Sequence, residues 1–338
     1  DTQKLISELG TVADELGEQL SLTHEIPDMP TATAEAMVRE IRERVARGGT
    51  AGIHTGLGGL DRLMGGLRTG SLHVFAARPG MGKTAFALFM AVNAAKQGIP
   101  VCVYSLEMSR EQLIFRMLGQ IANVEPSKID KGTATEEEMR ALEEASLLLK
   151  ELPICINQRS DIQIDEIRCD ISLRRRQGKC SLAIIDYLQL VNRDDKGQTP
   201  NEAISNITRK AKITAMDEEI PIVLLCQLNR NCETRGTYSF KHQLSDLRDS
   251  GSIEQDADTV AFISRLSVVN IHEDPDTHLP TRGRGTILLA KNRQGELGHV
   301  RFMHNEGVTS FWDDTQPACV RKARAAEPKP KGKGLFEC

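Results

Sequence analysis

The chain has 338 residues, 40% hydrophobic, 27% charged and only 4% aromatic, with a formal net charge of -4. This composition fits a globular protein of one large domain with appendages, or of two domains. It excludes blanket electrostatic coating of nucleic acid and a binding surface built mainly on aromatic stacking, while leaving room for a local basic track on one face. No apolar run reaches the ~18 residues of a membrane span. The eight cysteines include no Cys-x-x-Cys pair, which argues against zinc. Cys102, Cys155 and Cys226 lie in apolar strand-like runs where a thiol packs as a small hydrophobe, as expected in a reducing cytosol. The chain starts at Asp1 with no signal-peptide pattern and reads as a portion of a longer protein.

At the N-terminus, Leu5, Leu9, Val12, Leu16 and Leu20 form a helical stripe interrupted by Gly10 and Gly17. A loop with Pro27 and Pro30 follows. Residues 34–47 then predict an amphipathic helix with Met37, Ile41 and Val45 on one side. That stripe suits either packing on its own domain or docking on a neighbouring subunit, and periodicity alone does not choose. From residue 71 onward, short apolar runs alternate with helical patterns, the signature of an α/β fold with a mainly parallel central sheet. Strands are predicted at 71–77, 101–105, 154–157, 182–186, 222–226, 259–263 and 286–291, with 299–304 as a hairpin return. Helices are predicted to begin near Lys83, Ser109, Thr135 and Gln163, and another to span 200–216. In 321–334, Arg321, Lys322, Arg324, Lys329, Lys331 and Lys333 face one acid, Glu327, the composition of a disordered basic tail.

Residues 71–84 combine a strand, a tight glycine-containing turn and a helix start. The pattern G-x-x-x-x-G-K-[ST] is met except at its first position, where Ala77 stands. That departure matters only if the position needs positive φ, which the last residue of a strand does not. Gly80 and Gly82 let backbone N–H groups curl toward phosphate oxygens, and the helix starting at Lys83 adds its positive end. Lys83 is expected on the β- and γ-phosphates and the Thr84 hydroxyl on Mg²⁺. The predicted nucleotide contacts are Arg78, Pro79, Gly80, Met81, Gly82, Lys83, Thr84 and Ala85.

Two acids and an amide follow strands. Asp186 ends the apolar run Leu-Ala-Ile-Ile, a poor place for an unpaired charge; beside a phosphate loop it is suited to hold the shell of a bound Mg²⁺. Glu107 stands in the same relation to residues 101–106, where a carboxylate can polarise the water that attacks the γ-phosphate. The plain alternative for Glu107 is a helix N-terminal acid favoured by the dipole. Gln227 ends a third run, and an amide there can hydrogen-bond the γ-phosphate or water.

Together these segments resemble the DnaB-type replicative helicases of bacteria and phages. The resemblance rests on Ala76-Ala-Arg-Pro-Gly-Met-Gly-Lys-Thr84, Ser105-Leu-Glu-Met-Ser109, Ile185-Asp-Tyr-Leu-Gln-Leu190 and Gln227-Leu-Asn-Arg230. It continues in Leu244-Ser-Asp-Leu-Arg-Asp-Ser-Gly-Ser-Ile-Glu-Gln-Asp-Ala-Asp258, the most specific block, and Lys291-Asn-Arg-Gln-Gly295, so it covers roughly 33–312. It implies a RecA-like ATPase core in a homo-hexamer with ATP between subunits, Glu107 as catalytic base, Asp186 on Mg²⁺ and Gln227 as sensor. Lys291 and Arg293 would act in trans on the neighbour's γ-phosphate; their spacing of two puts both on one side of a strand. Arg248, Asp249 and Gly251 would grip the backbone of single-stranded DNA moving 5′ to 3′ through the ring. Asp249 stands where the family often has Glu, and Gly80 where relatives commonly have Ser. The resemblance divides the chain into a remnant of an N-terminal region (1–32), a linker helix docking on the next subunit (33–50), the motor (51–316) and the tail (317–338). It also implies a helicase loader and primase as partners and a cytoplasmic setting. Residues 55–67 resemble the opening of recombinase and KaiC-type cores as well, but the Ser-Leu-Glu-Met and Ser-Asp-Leu-Arg blocks speak against those. A ring that only recruits replication proteins would not need Lys83, Glu107, Asp186 and Arg293, all of which are present.

Overall fold

Five apolar runs, each long enough for one strand and too short for a core helix, dictate the architecture. They are β1 (Leu72–Ala77), β2 (Val101–Ser105), β4 (Leu182–Asp186), β5 (Ile222–Gln227) and β6 (Thr259–Ser264). In the computed structural model these strands are buried almost throughout, as parallel strands covered on both faces require. The residues described are 51–159, 162–186, 199–228, 242–247, 250–305, 307, 310–314 and 319–320, with the helical positions Glu35, Val38, Arg39, Ile41 and Arg42. The remaining strands are β3 (Ile154–Gln158), β7 (Arg284–Asn292), β8 (Gly298–His304), β9 (Phe311–Asp313) and β10 (Cys319–Val320). The sheet order is β10-β8-β7-β6-β1-β5-β4-β2-β3, with β9 paired to β8. From β6 to β3 every pairing is parallel, and from β6 through β7 and β8 to β10 every pairing is antiparallel.

Alternation along each strand builds two cores. On one face Phe75, Leu225 and Ile184 pack with Phe86, Met90 and Ala94 of α2 (Lys83–Lys96). Phe86 anchors that helix, its ring centroid 5.7 Å from Phe75 and 5.5 Å from Phe311. On the other face Val74, Leu224 and Ile185 meet Ile167 and Ile171 of α6 (Ile164–Arg176) and Ile207 and Ala211 of α7 (Pro200–Asp217). The outer helices are α3 (Arg110–Ala122), α4 (Pro126–Lys131) and α5 (Glu136–Glu151); α1 (Gly58–Met64) precedes the sheet and α8 (Ser250–Asp256) leads into β6. Capping boxes at Ser109/Gln112, Thr135/Glu138 and Thr199/Glu202 fix where α3, α5 and α7 begin, each cap worth about 1 kcal/mol. Gly285 has to be glycine, because a Cβ there would sit 2.2 Å from the Phe302 ring.

The strands expected at 101–105 and 182–186 occur at those bounds, and the others differ by one or two residues at their ends. The helices α1, α4 and α8 and the strands β9 and β10 come in addition to the expected elements. Cys102 and Cys226 are buried as expected, while Cys155 is half-buried and faces Cys102 across the β2–β3 register. The chain divides into two units, Asp1–Gly49 and Thr50–Cys338. Within the first, Glu35, Val38, Arg39, Ile41 and Arg42 are helical, with Val38 and Ile41 exposed. The stripe at 5–20, Met37, Val45 and the basic tail lie outside the described residues. No helix among the described residues is long and apolar enough to cross a membrane.

Candidate nucleotide-binding site

The carboxyl ends of β1, β2, β4, β5 and β6 line up along one edge of the sheet, where open α/β folds place ligands. β1 ends at Ala77, which pairs with Gln227 and is extended backbone, so Ala in place of Gly costs nothing there. The loop then turns through Gly80 (φ 78°) and Gly82 (φ 88°), left-handed conformations that an L side chain resists. Gly82 caps α2 without any side-chain hydrogen bond, so the first-turn N–H groups remain available to an anion.

Lys83 and Thr84, the first two residues of α2, both reach Asp186 at the end of β4. The Thr84 hydroxyl donates to Asp186 Oδ2 at 2.7 Å, and Lys83 Nζ lies 3.5 Å from Oδ1. Asp186 is buried, and its Oδ1 receives no hydrogen bond. Burial holds the Lys83 ammonium below its ordinary pKa, partly offset by the negative charge of Asp186 and, more weakly, of Glu107. The hydroxyl and carboxylate oxygens are the hard donors a small divalent cation takes. No group of three or more His, Cys, Asp or Glu able to hold a metal occurs among the described residues.

Glu107 sits two residues beyond β2, whose last residue, Ser105, pairs with Asp186. The Ser105 hydroxyl accepts from Met108 N at 3.2 Å and donates to Met108 O at 2.8 Å, closing a turn that leaves Glu107 exposed to the cleft. The cleft, about 770 Å³, is lined by the phosphate loop, Glu107 and Gln227. Arg116 and Arg265, which the sequence reading does not single out, also line it. Arg265 follows β6 and donates to the Gly80 carbonyl at 3.3 Å, and burial lowers its pKa. Its place beside the loop follows from the pairing of β6 with β1. Of the expected nucleotide contacts, Met81 has its side chain packed into the core at 4% exposure, which leaves only its backbone to face the loop.

The pair expected to act in trans lies at the opposite edge. Asn292 pairs with Thr259 at the start of β6, and Thr259 pairs with His73 at the start of β1. Four residues of strand plus two strand spacings put Arg293 roughly 16 Å from the phosphate loop of its own chain, beyond a guanidinium's reach. Lys291 and Arg293 do point the same way: the Lys291 ammonium donates to the carbonyls of Glu254 and Gln255, and Arg293 to that of Gln255. Of the three expected DNA contacts, Arg248 and Asp249 lie outside the described residues. Gly251 is exposed at the start of α8, and a Cβ there would meet nothing within 4 Å.

A Gly-turned loop leading from a buried strand into a helix, with lysine, threonine and a buried aspartate converging behind it, defines a phosphate-loop nucleotide-binding protein with a RecA-like core. Residues 52–313 match the DnaB-like helicase C-terminal domain, and the chain belongs to that family. It is 35% identical over 267 residues to the replicative DNA helicase DnaC of Bacillus subtilis, covering 78% of this chain and 57% of that protein. It is 33% identical over 303 residues to a probable replicative DNA helicase of Trieres chinensis, covering 88% of this chain and 66% of that protein. The chain thus spans between a half and two thirds of those relatives. Among solved structures, an ATPase domain superimposes with a TM-score of 0.75 at 29% identity, covering 84% of this chain and 99% of that one. A DnaB-like replicative helicase studied with primase superimposes with a TM-score of 0.77 at 27% identity, covering 92% and 74%.

Proposed function

We propose that this chain is the ATP-hydrolysing motor of a hexameric replicative DNA helicase that moves 5′ to 3′ on single-stranded DNA. The observation that carries this reading is the division of the ATP machinery between two edges of one sheet. Lys83, Thr84, Asp186, Glu107 and Gln227 gather at the carboxyl edge, while Lys291 and Arg293 sit at the other edge, out of reach of their own loop. An active centre so divided is completed only by a second copy, which is what a ring provides.

Each residue then has a defined task. The backbone N–H groups of 80–84 and the Lys83 ammonium hold the β- and γ-phosphates of ATP. The Thr84 hydroxyl and Asp186 carboxylate fit Mg²⁺, since Asp186 Oδ1 is buried with no hydrogen-bond donor of its own; the ion, when bound, neutralises charge on the phosphate oxygens. Glu107 accepts the proton of the attacking water, and Gln227 orients that water or reports the γ-phosphate. Arg293 and Lys291 of the adjacent subunit stabilise the charge that develops as the phosphoryl group leaves. Arg248, Asp249 and Gly251 grip the DNA backbone without regard to sequence, consistent with few aromatics. Hydrolysis loosens one interface and lets that subunit's grip advance. Primase and a helicase loader are the proposed protein partners; one of the structural neighbours above was solved for its interactions with primase. The reading is tested by steady-state ATP turnover with and without single-stranded DNA. Stimulation that disappears in Lys83→Ala supports it, whereas turnover indifferent to DNA removes the motor role.

A further inference from the structure

The cations offered to the neighbour's phosphate are held, in the single chain, by one end of the helix whose other end carries Gly251, a residue of the proposed DNA grip. Lys291 donates to the carbonyls of Glu254 and Gln255, and Arg293 to Gln255, all in the last turn of α8. Carbonyls in that turn have no intrahelical donor, so a cation is their natural partner. Just beyond, Asp258 is buried at 6% exposure and sits at a hub of hydrogen bonds. Its Oδ2 accepts from Leu72 N at 2.8 Å and from Lys212 Nζ at 2.7 Å, and its Oδ1 lies 3.4 Å from Arg293 Nη1. Its own carbonyl accepts from Arg293 N at 2.9 Å. The Asp258 carboxylate therefore joins the base of β1, the strand that feeds the phosphate loop, to the trans-acting arginine.

Resting on the trans role of Lys291 and Arg293, we propose that α8 is the link that carries nucleotide state at one interface to the DNA grip, with Asp258 as the residue that positions Arg293 on it. The two side chains cannot serve both places at once. When the neighbour holds a γ-phosphate they leave the α8 carbonyls, and when it does not they return. At seven residues α8 is about 10 Å long. Ile253 is fully buried and Asp256 accepts from the Thr208 hydroxyl at 2.8 Å, so the helix is tied on one side to α7 and moves as a unit. A change at Glu254 and Gln255 is thereby felt at Gly251, one turn away.

The test uses rings of the whole chain and two readouts. In the first, amide hydrogen exchange over residues 250–256 is compared between rings loaded with a slowly hydrolysed ATP analogue and rings loaded with ADP. The proposal expects a difference in the native ring and its loss in Lys291→Ala/Arg293→Ala; equal exchange in both nucleotide states of the native ring overturns it. In the second, affinity for a single-stranded oligonucleotide is measured with each nucleotide in Asp258→Asn. The native ratio between states, expected to be about tenfold, should fall to within about twofold in that variant. An unchanged ratio overturns the role of Asp258. If Arg293→Ala keeps full ATP turnover, the trans reading itself has failed; if it is inactive and α8 exchange ignores nucleotide, only the link has. Exchange in the native ring decides the matter even where Asp258→Asn fails to fold.

Discussion

Arg293→Ala is expected to abolish ATP turnover without harming the fold, and the structure fixes both halves of that statement. The guanidinium is about half exposed, and its ion pair with Asp258 spans 3.4 Å, so its loss costs the fold about 1 kcal/mol or less. For catalysis, an arginine supplied across an interface is worth roughly 10³- to 10⁵-fold in rate, about 4 to 7 kcal/mol of barrier. The roughly 16 Å between Arg293 and its own phosphate loop makes the defect complementable. An interface takes Lys83 from one subunit and Arg293 from the next. In rings mixed equally from Arg293→Ala and Lys83→Ala chains, about one quarter of interfaces therefore have both good halves. DNA-free ATP turnover per chain, measured across mixing ratios with subunit exchange followed by fluorescence transfer, should trace a hump peaking near the equal mixture at about a quarter of the native value. Flat zero at every ratio, with exchange demonstrated, refutes donation in trans.

Glu107→Gln should still bind ATP and DNA yet hydrolyse about 10²- to 10⁴-fold more slowly; normal turnover would remove Glu107 from the chemistry. Asp186→Asn should raise the Mg²⁺ concentration needed for half-maximal turnover, read from a magnesium titration, because the buried oxygen pair loses its charge. Gly251→Ala should leave the melting temperature unchanged or slightly higher, since a Cβ there meets nothing and alanine suits a helix better by up to about 1 kcal/mol. The same variant should bind single-stranded DNA more weakly in a filter or anisotropy assay. His73 is buried and its pKa is lowered to about 4 by desolvation, below the 6.5 of an unfolded histidine. Stability from this residue is therefore complete above pH 6.5 and lost as pH falls toward 4, by about 2 kcal/mol between pH 7.5 and 5. Urea denaturation should show that slope and a shallower one in His73→Gln.

The strands β1, β2, β4, β5 and β6 are legible because each is a short, continuous apolar run buried on both faces, a pattern that does not depend on knowing its neighbours. Helix starts at Ser109 and Thr135 are legible for a local reason too: the capping residue and its partner three positions on are both present. The short helices α4 and α8 and the strands β9 and β10 are too brief for a period to build up. In the site, Lys83, Glu107, Asp186 and Gln227 stand out because each lies at a strand end or helix start. Arg265 escapes for a topological reason, since its place beside the loop depends on β6 pairing with β1, two segments far apart in the sequence. The hub at Asp258 is equally hidden: the acid is visible in the Ser-Asp-Leu-Arg block, but Lys212, Leu72 and Arg293 converge on it only in the folded sheet.

The central claim, that this chain is a ring motor that separates strands, is tested most directly on two synthetic forks. One fork carries a 5′ loading tail and the other only a 3′ tail, and both are incubated with assembled rings, ATP and Mg²⁺. The account predicts strand separation on the first fork alone, absent with ADP and absent in Lys83→Ala. Separation that favours the 3′ tail would contradict the proposed polarity, and ATP turnover stimulated by DNA with no separation of either fork would contradict the helicase itself.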